Sequence, residues 1–262
     1  MGSASTFHPT RNWFERLPAQ GPTLRLYCFP YAGAGADVYR SWQQWFPQKV
    51  QICLVHLPGR GRGMGEQPFA QLPPLVASIA DRIDREPRHT YALYGHSMGA
   101  LIAFELGREM FRRHGYGPEH LLVSGRRAPQ SPTDEPVIFN LPHDQFLAEL
   151  RRLNGTPAEV LDNPEVIELF ITTLRADFEL VDTYEYRPGE PLSCPITVYN
   201  GIKDIHVPTE SSPAWQEQTS SHCKVRLLNG DHFFIRNPDQ EFISAFKADV
   251  LSAVPDLREN AK

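Results

Sequence analysis

The stretch that decides the fold of this chain is residues 91–100, Tyr91-Ala-Leu-Tyr-Gly-His-Ser-Met-Gly-Ala100. A short apolar run leads into the pattern Gly-x-Ser-x-Gly, and an apolar, helix-like run over residues 101–106 follows it. This arrangement predicts a nucleophile elbow, a sharp turn from a strand into a helix that exposes a serine Oγ. Small residues flank such a serine because the turn leaves little space and strains the central residue. Ser97 is therefore the predicted catalytic nucleophile.

A serine of this kind needs an acid and a histidine, which follow it along the chain in that order. A strand pattern at residues 195–200 is followed by Gly-Ile-Lys-Asp204, and one at 224–228 by Asn-Gly-Asp-His232. Both candidates lie just beyond the C-terminal end of a strand, where doubly wound sheets carry their sites. We expect His232 to take the proton of Ser97 and Asp204 to orient the imidazole, giving an acyl-enzyme that water then hydrolyses.

Other acids and histidines leave alternatives open. Asp177 or Asp182 could supply the acid from elsewhere in the chain. Asp231 adjoins the histidine but is expected to be a solvated loop residue, and His96 is expected to be packed, because neighbours on an elbow point apart. His206 lies two residues after the predicted acid, but no third ligand stands at a recognisable metal spacing. No metal and no other cofactor is predicted.

The oxyanion of the reaction is expected to be held by backbone N–H groups. One donor is Met98, the residue after the nucleophile. The other should come from the loop after the strand pattern at 24–29, which reads Pro30-Tyr-Ala-Gly-Ala-Gly-Ala36 and is small enough for close backbone approach. Tyr31 or Ala32 is the favoured second donor.

The order of patterns along the chain predicts the architecture. Strand and helix patterns alternate, which indicates a mostly parallel central sheet with flanking helices and right-handed crossovers. Together with the elbow, this predicts an α/β-hydrolase fold in a single domain over residues 1–262. The predicted strands are 24–29, 50–55, 90–94, 121–125, 195–200 and 224–228, and the predicted helices are 38–46, 72–84, one from the elbow to about 114, and 238–254.

One interval is too long for a single crossover helix. Residues 128–190 contain amphipathic helical patterns at 142–150, 163–174 and 176–184. We expect this insertion to form a helical lid above the serine, because acyl chains need apolar cover. The alternative is a set of helices packed away from the site.

Composition narrows the class of protein. The net charge of −5 offers no overall basic surface for nucleic acid, and no apolar run approaches the roughly 20 residues of a membrane span. The start of the chain lacks the apolar segment of a signal peptide. Four widely separated cysteines, three of them in or beside strand patterns, are expected to be reduced thiols, which favours the cytoplasm. Nothing indicates assembly, so a monomer is expected.

The ordered set of motifs resembles a known family. The motifs are Phe29-Pro-Tyr-Ala-Gly33, Tyr39-Arg-Ser-Trp42, Leu57-Pro-Gly-Arg-Gly61, the elbow, Gly201-Ile-Lys-Asp204 and Asp231-His-Phe-Phe234. Together they resemble the type II thioesterases of polyketide and nonribosomal peptide synthesis, which are related to medium-chain fatty acyl thioesterases. The chain departs from that family at Gly33-Ala-Gly35, where Gly-Gly-Ser is common, and at Asp231, where glycine is common.

The resemblance implies a function. It implies a serine thioesterase that hydrolyses acyl groups from the phosphopantetheine arm of an acyl carrier or peptidyl carrier protein and so removes stalled or wrong groups. It also implies that Phe233 and Phe234 contact the substrate. Carrier proteins are usually acidic, so four arginines are candidates for docking them: Arg60, Arg62, Arg126 and Arg127.

Three rival functions remain open at this point. One is release of medium-chain fatty acids, and another is a general carboxylesterase or lipase that prefers oxygen esters. The third is a noncatalytic receptor or scaffold, which would tolerate loss of the triad.

Overall fold

The computed structural model describes residues 12–254, and its centre is one sheet of seven strands in the order β1-β3-β2-β4-β5-β6-β7. Every neighbouring pair is parallel except β1, which runs antiparallel to β3. The strands are β1 (Phe14–Arg16), β2 (Leu24–Phe29), β3 (Val50–Val55), β4 (Tyr91–His96), β5 (Leu121–Ser124), β6 (Ile196–Gly201) and β7 (Cys223–Leu228).

Helices connect these strands. They are α1 (Leu72–Asp84), α2 (Met98–His114), α3 (His143–Leu153), α4 (Ala158–Leu161), α5 (Pro164–Asp182) and α6 (Gln240–Ser252), with 3₁₀ segments at Ala36–Trp45, Gly61–Gly63 and Thr209–Gln218. Strands and helices alternate as the sequence patterns predict, so the α/β-hydrolase fold is confirmed. No helix in the described part of the chain is long and apolar enough to cross a membrane.

Both faces of the sheet are covered, and the side chains of the strands alternate accordingly. In β3, Cys53 and Val55 pack in one core with α1 and α2. Ile52 and Leu54, which alternate with them along the strand, point to the opposite face. They pack in a second core with the 3₁₀ segment at 36–45 and with α6. The loops at the C-terminal ends of β4, β6 and β7 are thereby held by rigid strands on a common edge.

The interval between β5 and β6 forms a helical insertion with its own apolar cluster. The buried members of that cluster are Ile138, Phe146, Leu150, Leu161, Ile167 and Leu174. The two helices predicted at 163–174 and 176–184 are one continuous helix, α5, so that prediction was wrong. No proline or glycine interrupts it, and Arg175, between the two patterns, is a good helix former. Its guanidinium lies over the Phe146 ring (4.4 Å).

A few helices and strands differ slightly from the bounds that the sequence predicts. The helix predicted at 38–46 is a 3₁₀ segment, Ala36–Trp45, and β4 runs to His96 instead of ending at residue 94. Strand β1 was not predicted because three residues are too few to show an alternating pattern. All four cysteines are free. Cys28, Cys53 and Cys194 are buried, and Cys223, the first residue of β7, is partly exposed.

Candidate active site

Ser97 stands on a strained turn between β4 and α2. Its φ of 54° and ψ of −112° place it in a region that few non-glycine residues adopt. A Cβ atom at Gly95 would collide with the backbone of Gly99, and one at Gly99 would collide with the backbone of Phe29. The two glycines of the Gly-x-Ser-x-Gly pattern are therefore required by close backbone packing, as an elbow demands.

His232 and Asp204 meet at the same edge of the sheet. His232 Nδ1 donates to Asp204 Oδ2 at 2.7 Å, and Asp204 follows β6 while His232 follows β7. Asp204 Oδ1 also accepts the backbone N–H groups of His206 (2.8 Å) and Val207 (3.2 Å). Burial raises the pKa of Asp204, but these hydrogen bonds outweigh burial and hold its pKa below the ordinary value. The carboxylate is therefore ionised and fixes which nitrogen of His232 carries the proton.

Ser97 and His232 line one cavity of about 390 Å³. The insertion supplies much of its apolar wall through Val137, Ile138, Leu150, Leu153, Phe178 and Val181. A larger cavity of about 910 Å³ lies between α1, α2 and residues 183–192 and is lined by none of the three predicted triad residues. Ser97 and His232 therefore belong to the smaller cavity.

The predicted oxyanion donors lie beside this cavity. Met98 is the first residue of α2, where N–H groups have no acceptor within the helix. Tyr31 and Ala32 line the cavity. Their loop is held from the insertion, because the Gly33 N–H donates to Asp177 Oδ2 on α5 at 2.7 Å.

Asp177 has a second partner that the sequence did not reveal. The Arg60 guanidinium binds both its carboxylate oxygens, with Nη1–Oδ2 at 2.6 Å and Nη2–Oδ1 at 2.5 Å. Both side chains are almost fully buried. Asp177 therefore ties the loop after β3 and the loop after β2 to α5.

The two alternative acids are placed away from the histidine. Asp177 is engaged by Arg60, and Asp182 Oδ2 accepts the backbone N–H groups of Ile138 (2.8 Å) and Phe139 (3.1 Å). Neither carboxylate is bonded to His232. The structure brings only Asp204, among the three candidates, into contact with that imidazole.

The docking prediction for Arg60 was wrong, because a buried guanidinium cannot meet a partner protein. Arg62 is exposed and pairs with Glu15 (2.7 Å). Arg126 and Arg127 lie at the start of the insertion and line the cavity. Docking at these three remains a prediction.

His96, His206 and Asp231 lie outside the predicted triad, as the sequence indicates. His96 is fully buried with Nδ1 2.9 Å from Ser124 Oγ, and burial together with the nearby His232 lowers its pKa well below the usual range, so it is neutral. His206 Nδ1 lies 3.2 Å from Glu135 Oε1. Asp231 is exposed and accepts the Phe233 N–H at 2.8 Å. Within residues 12–254, no group of three metal-ligating side chains is found.

The two phenylalanines after the histidine separate. Phe233 lines the cavity, with its ring 4.8 Å from that of His232. Phe234 is not among the residues that line this cavity, and its ring packs against Phe242 (5.4 Å). The structure therefore does not bring Phe234 to the site, because successive side chains of this loop point apart.

Arg236 is a residue that sequence reasoning missed. Its guanidinium lies 4.1 Å from the centre of the Phe233 ring and donates to Tyr31 Oη (3.1 Å) and to the Asn154 carbonyl oxygen (3.0 Å) at the end of α3. It thus joins the histidine loop, the oxyanion loop and the insertion. No motif or periodicity marks it, since its partners lie far away in the sequence.

Known proteins are similar to this chain in both sequence and fold. The thioesterase domain family matches residues 24–250. The chain is 42% identical over 232 residues to the gramicidin S biosynthesis protein GrsT of Aneurinibacillus migulanus, covering 88% of this chain and 91% of that protein. It is 32% identical over 238 residues to the medium-chain S-acyl fatty acid synthase thioesterase of Rattus norvegicus, covering 87% and 88%.

A solved structure of a type II thioesterase has the same fold as this chain. The type II thioesterase BorB from the borrelidin biosynthetic cluster superimposes with a TM-score of 0.80 at 31% identity, covering 89% of this chain and 96% of that one. The family match spans most of the chain and both relatives align over nearly their whole length. The chain therefore belongs to the thioesterase family, and it is a thioester hydrolase of the type II class.

Proposed function

We propose that Ser97 is the nucleophile, His232 the general base and acid, and Asp204 the residue that orients His232. The observation that carries this is the 2.7 Å bond between His232 Nδ1 and a buried carboxylate, with His232 on the cavity that also holds the strained Ser97. His232 Nε2 is left to take the serine proton and later to activate water.

The developing oxyanion is held by two backbone N–H groups in this proposal. Met98 supplies one from the N-terminus of α2, and Tyr31 or Ala32 supplies the other. Phe233 contributes an apolar contact to the bound acyl group.

The proposed substrate is an acyl group carried on the phosphopantetheine arm of an acyl carrier or peptidyl carrier protein. Similarity to GrsT, a gramicidin S biosynthesis protein, and to BorB, a type II thioesterase from a biosynthetic cluster, supports this class. The proposed role is removal of stalled or wrong acyl groups in such a pathway. Identity to the medium-chain fatty acid synthase enzyme is lower, at 32% against 42%, so that alternative is less supported.

Residues 128–190 are proposed to act as a lid. Support comes from the apolar wall that α3 and α5 contribute to the cavity, and from the separate apolar cluster of the insertion. The protein is further proposed to act as a monomer in the cytoplasm. Light scattering after size-exclusion chromatography measures the oligomeric state.

The proposed substrate class is tested by one acyl group presented in three forms: on a carrier protein, on a small thiol and as an oxygen ester. The expected order of kcat/KM is carrier thioester above small thioester above oxygen ester. Equal rates on carrier and small thiol would remove the carrier from the proposal. Faster cleavage of the oxygen ester would make the protein an esterase.

A further inference from the structure

Arg236 bridges the end of α3 and the loop that carries the predicted oxyanion donors. The turn after β7 places it beside Phe233, because the Arg236 N–H donates to the Phe233 carbonyl oxygen at 2.9 Å. Its guanidinium donates through Nη1 to the Asn154 carbonyl oxygen (3.0 Å), through Nη2 to the Gly155 carbonyl oxygen and through Nε to Tyr31 Oη (3.1 Å). One planar group therefore holds two segments that are far apart in the sequence.

The end of α3 offers acceptors that suit a cation. The last carbonyl groups of a helix have no partner within it, and a positive charge near them is favourable. Helix α3 ends at Leu153, and Asn154 follows in the left-handed conformation with a φ of 54°. The apolar contact is also close, because a Cβ atom at Gly155 would lie 3.1 Å from Phe233 Cζ. The end of α3 is therefore seated on the loop that follows the catalytic histidine.

The position of the Arg236 guanidinium depends on the insertion. Arg236 is exposed, and all three acceptors of its guanidinium are neutral oxygens, two of which belong to the insertion. Asp231 and Asp239 line the same surface pocket, but each accepts a backbone N–H, and neither forms an ion pair with Arg236 within residues 12–254. A carboxylate would have fixed the guanidinium whatever the insertion does. Here the seated end of α3 fixes it.

Tyr31 connects Arg236 to the reaction. The Tyr31 side chain is buried, and its Oη accepts the Nε–H of Arg236. Tyr31 begins the loop in which the Tyr31 or Ala32 N–H is the proposed oxyanion donor, so a shift of its ring moves the backbone that must point at the oxyanion. The same loop is held at Gly33 by Asp177 of α5. The oxyanion loop is thus supported from two helices of the insertion.

We propose that Arg236 is a positioning residue that couples the seating of α3 to the geometry of the oxyanion hole. When α3 is seated, its terminal carbonyl groups fix the guanidinium, and the guanidinium fixes the Tyr31 ring. When α3 moves away, the oxyanion loop loses this support. The acyl group is then hydrolysed rapidly only while the insertion covers it. This rests on the proposed function and adds a means of regulating the same site.

The first test is the steady-state kinetics of Arg236→Met on one acyl group carried by a small thiol. The variant should lower kcat by about 10-fold and leave KM within about twofold, because the interaction that is weakened is made in the transition state. The matched control is Arg88→Met. Arg88 is also exposed, with its guanidinium 4.2 Å from the centre of the Tyr116 ring, and it does not line the cavity. This control should keep the wild-type kcat.

A double-mutant cycle with Tyr31→Phe tests the path of the coupling. Tyr31→Phe removes the hydroxyl that accepts the Arg236 bond and keeps the ring. It should lower kcat about as much as Arg236→Met does, and the double variant should lose no more than either single variant, because all three break the same link. A merely structural role would lower the thermal midpoint without this coupling in kcat.

Hydrogen exchange measures the insertion side of the link. Backbone amides of residues 148–158 should exchange at least about threefold faster in Arg236→Met, because the end of α3 has lost two donors. In Tyr31→Phe they should exchange as in wild type, because the bonds to Asn154 and Gly155 remain. Amides of α5 around Asp177 should be unchanged in both variants.

Several results would overturn the proposal. They are a kcat of Arg236→Met within twofold of wild type, a loss confined to KM, additive losses in the cycle, or unchanged exchange at residues 148–158 in Arg236→Met. A loss seen only with a carrier-bound substrate would also overturn it, because Arg236 would then be a docking residue. Failure of the proposed function is distinguishable, because it would appear as full thioester turnover by Ser97→Ala.

Discussion

Asp204 and Asp177 are two buried carboxylates at the same edge of the molecule, and they do different work. Asp204 accepts two backbone N–H groups and Asp177 accepts one, and each binds one basic side chain. The partner of Asp204 is an imidazole that gains and loses a proton, whereas the partner of Asp177 is a permanently charged guanidinium. In the proposed mechanism Asp204 therefore serves the reaction, whereas Asp177 holds α5 against the loops that follow β2 and β3.

Burial and hydrogen bonding are common to both aspartates, so these two properties alone do not identify a catalytic acid. Asp204 differs because it contacts the imidazole of His232, and His232 lines the same cavity as Ser97. Substitutions at the two aspartates should accordingly separate loss of rate from loss of stability.

The largest effect is expected at Asp204. Asp204→Asn should lower kcat on a small thioester by about 10⁴-fold, because the amide no longer holds His232 with its proton on Nδ1. The fold should persist, since an amide oxygen still accepts the two backbone N–H groups. The matched control is Asp231→Asn on the exposed neighbouring loop, which should keep kcat within about threefold. More than a tenth of wild-type activity in Asp204→Asn would place the acid elsewhere.

The next effect is expected in stability. Asp177→Leu should lower the free energy of unfolding by about 3–5 kcal/mol, because Arg60 is left buried without its counter-charge. Urea unfolding followed by circular dichroism measures it.

The double variant Arg60→Met/Asp177→Leu isolates the cause. It should recover most of the lost stability, since no unpaired charge remains. Its kcat should stay about tenfold below wild type, because the Gly33 N–H has lost the acceptor that positions the oxyanion loop. A single variant as stable as wild type, or a double variant with full kcat, would contradict the role assigned to Asp177.

The smallest effect concerns a third carboxylate, Asp249 on α6. Burial raises its pKa, but hydrogen bonds from Arg226, Tyr199 and Lys224 outweigh burial and lower its pKa below the usual range. A lowered folded-state pKa stabilises the protein above the unfolded value of about 3.9, and this stabilisation is lost as the pH falls through the folded value.

Asp249→Asn should therefore make the free energy of unfolding less dependent on pH below about pH 4. Urea unfolding at a series of acidic pH values gives the slope. The exposed Glu241→Gln on the same helix should keep the wild-type slope. An unchanged slope in Asp249→Asn would show that its ion pairs do not drive acid unfolding.

The sheet edge could be predicted from the sequence because its signals are local. Strand β4 leads directly into the Gly-x-Ser-x-Gly pattern, and Asp204 and His232 each stand just after a recognisable apolar strand. Helix α1 was predicted with its observed bounds, since its apolar residues recur at helical spacing and flanking turns mark its ends.

The insertion could be predicted only in part, because its contacts are not local. Helical periodicity indicated α3 and α5, but nothing in the sequence pairs Arg60 with Asp177, which are 117 residues apart. Arginine in a glycine-rich loop has the same local signature whether it faces solvent, as Arg62 does, or a buried aspartate. Arg236 has no sequence signal for the same reason, because its partners Tyr31 and Asn154 also lie far away along the chain.

The proposed mechanism depends on Ser97 as the nucleophile, and the deciding measurement is kcat of Ser97→Ala on a small thioester. The expected result is a loss of at least about 10⁴-fold with the thermal midpoint unchanged, because Ser97 is the hydroxyl that stands on the strained elbow in the cavity lined by His232. Ser244→Ala, on the exposed face of α6, should retain wild-type kcat. Turnover by Ser97→Ala within tenfold of wild type would contradict the account.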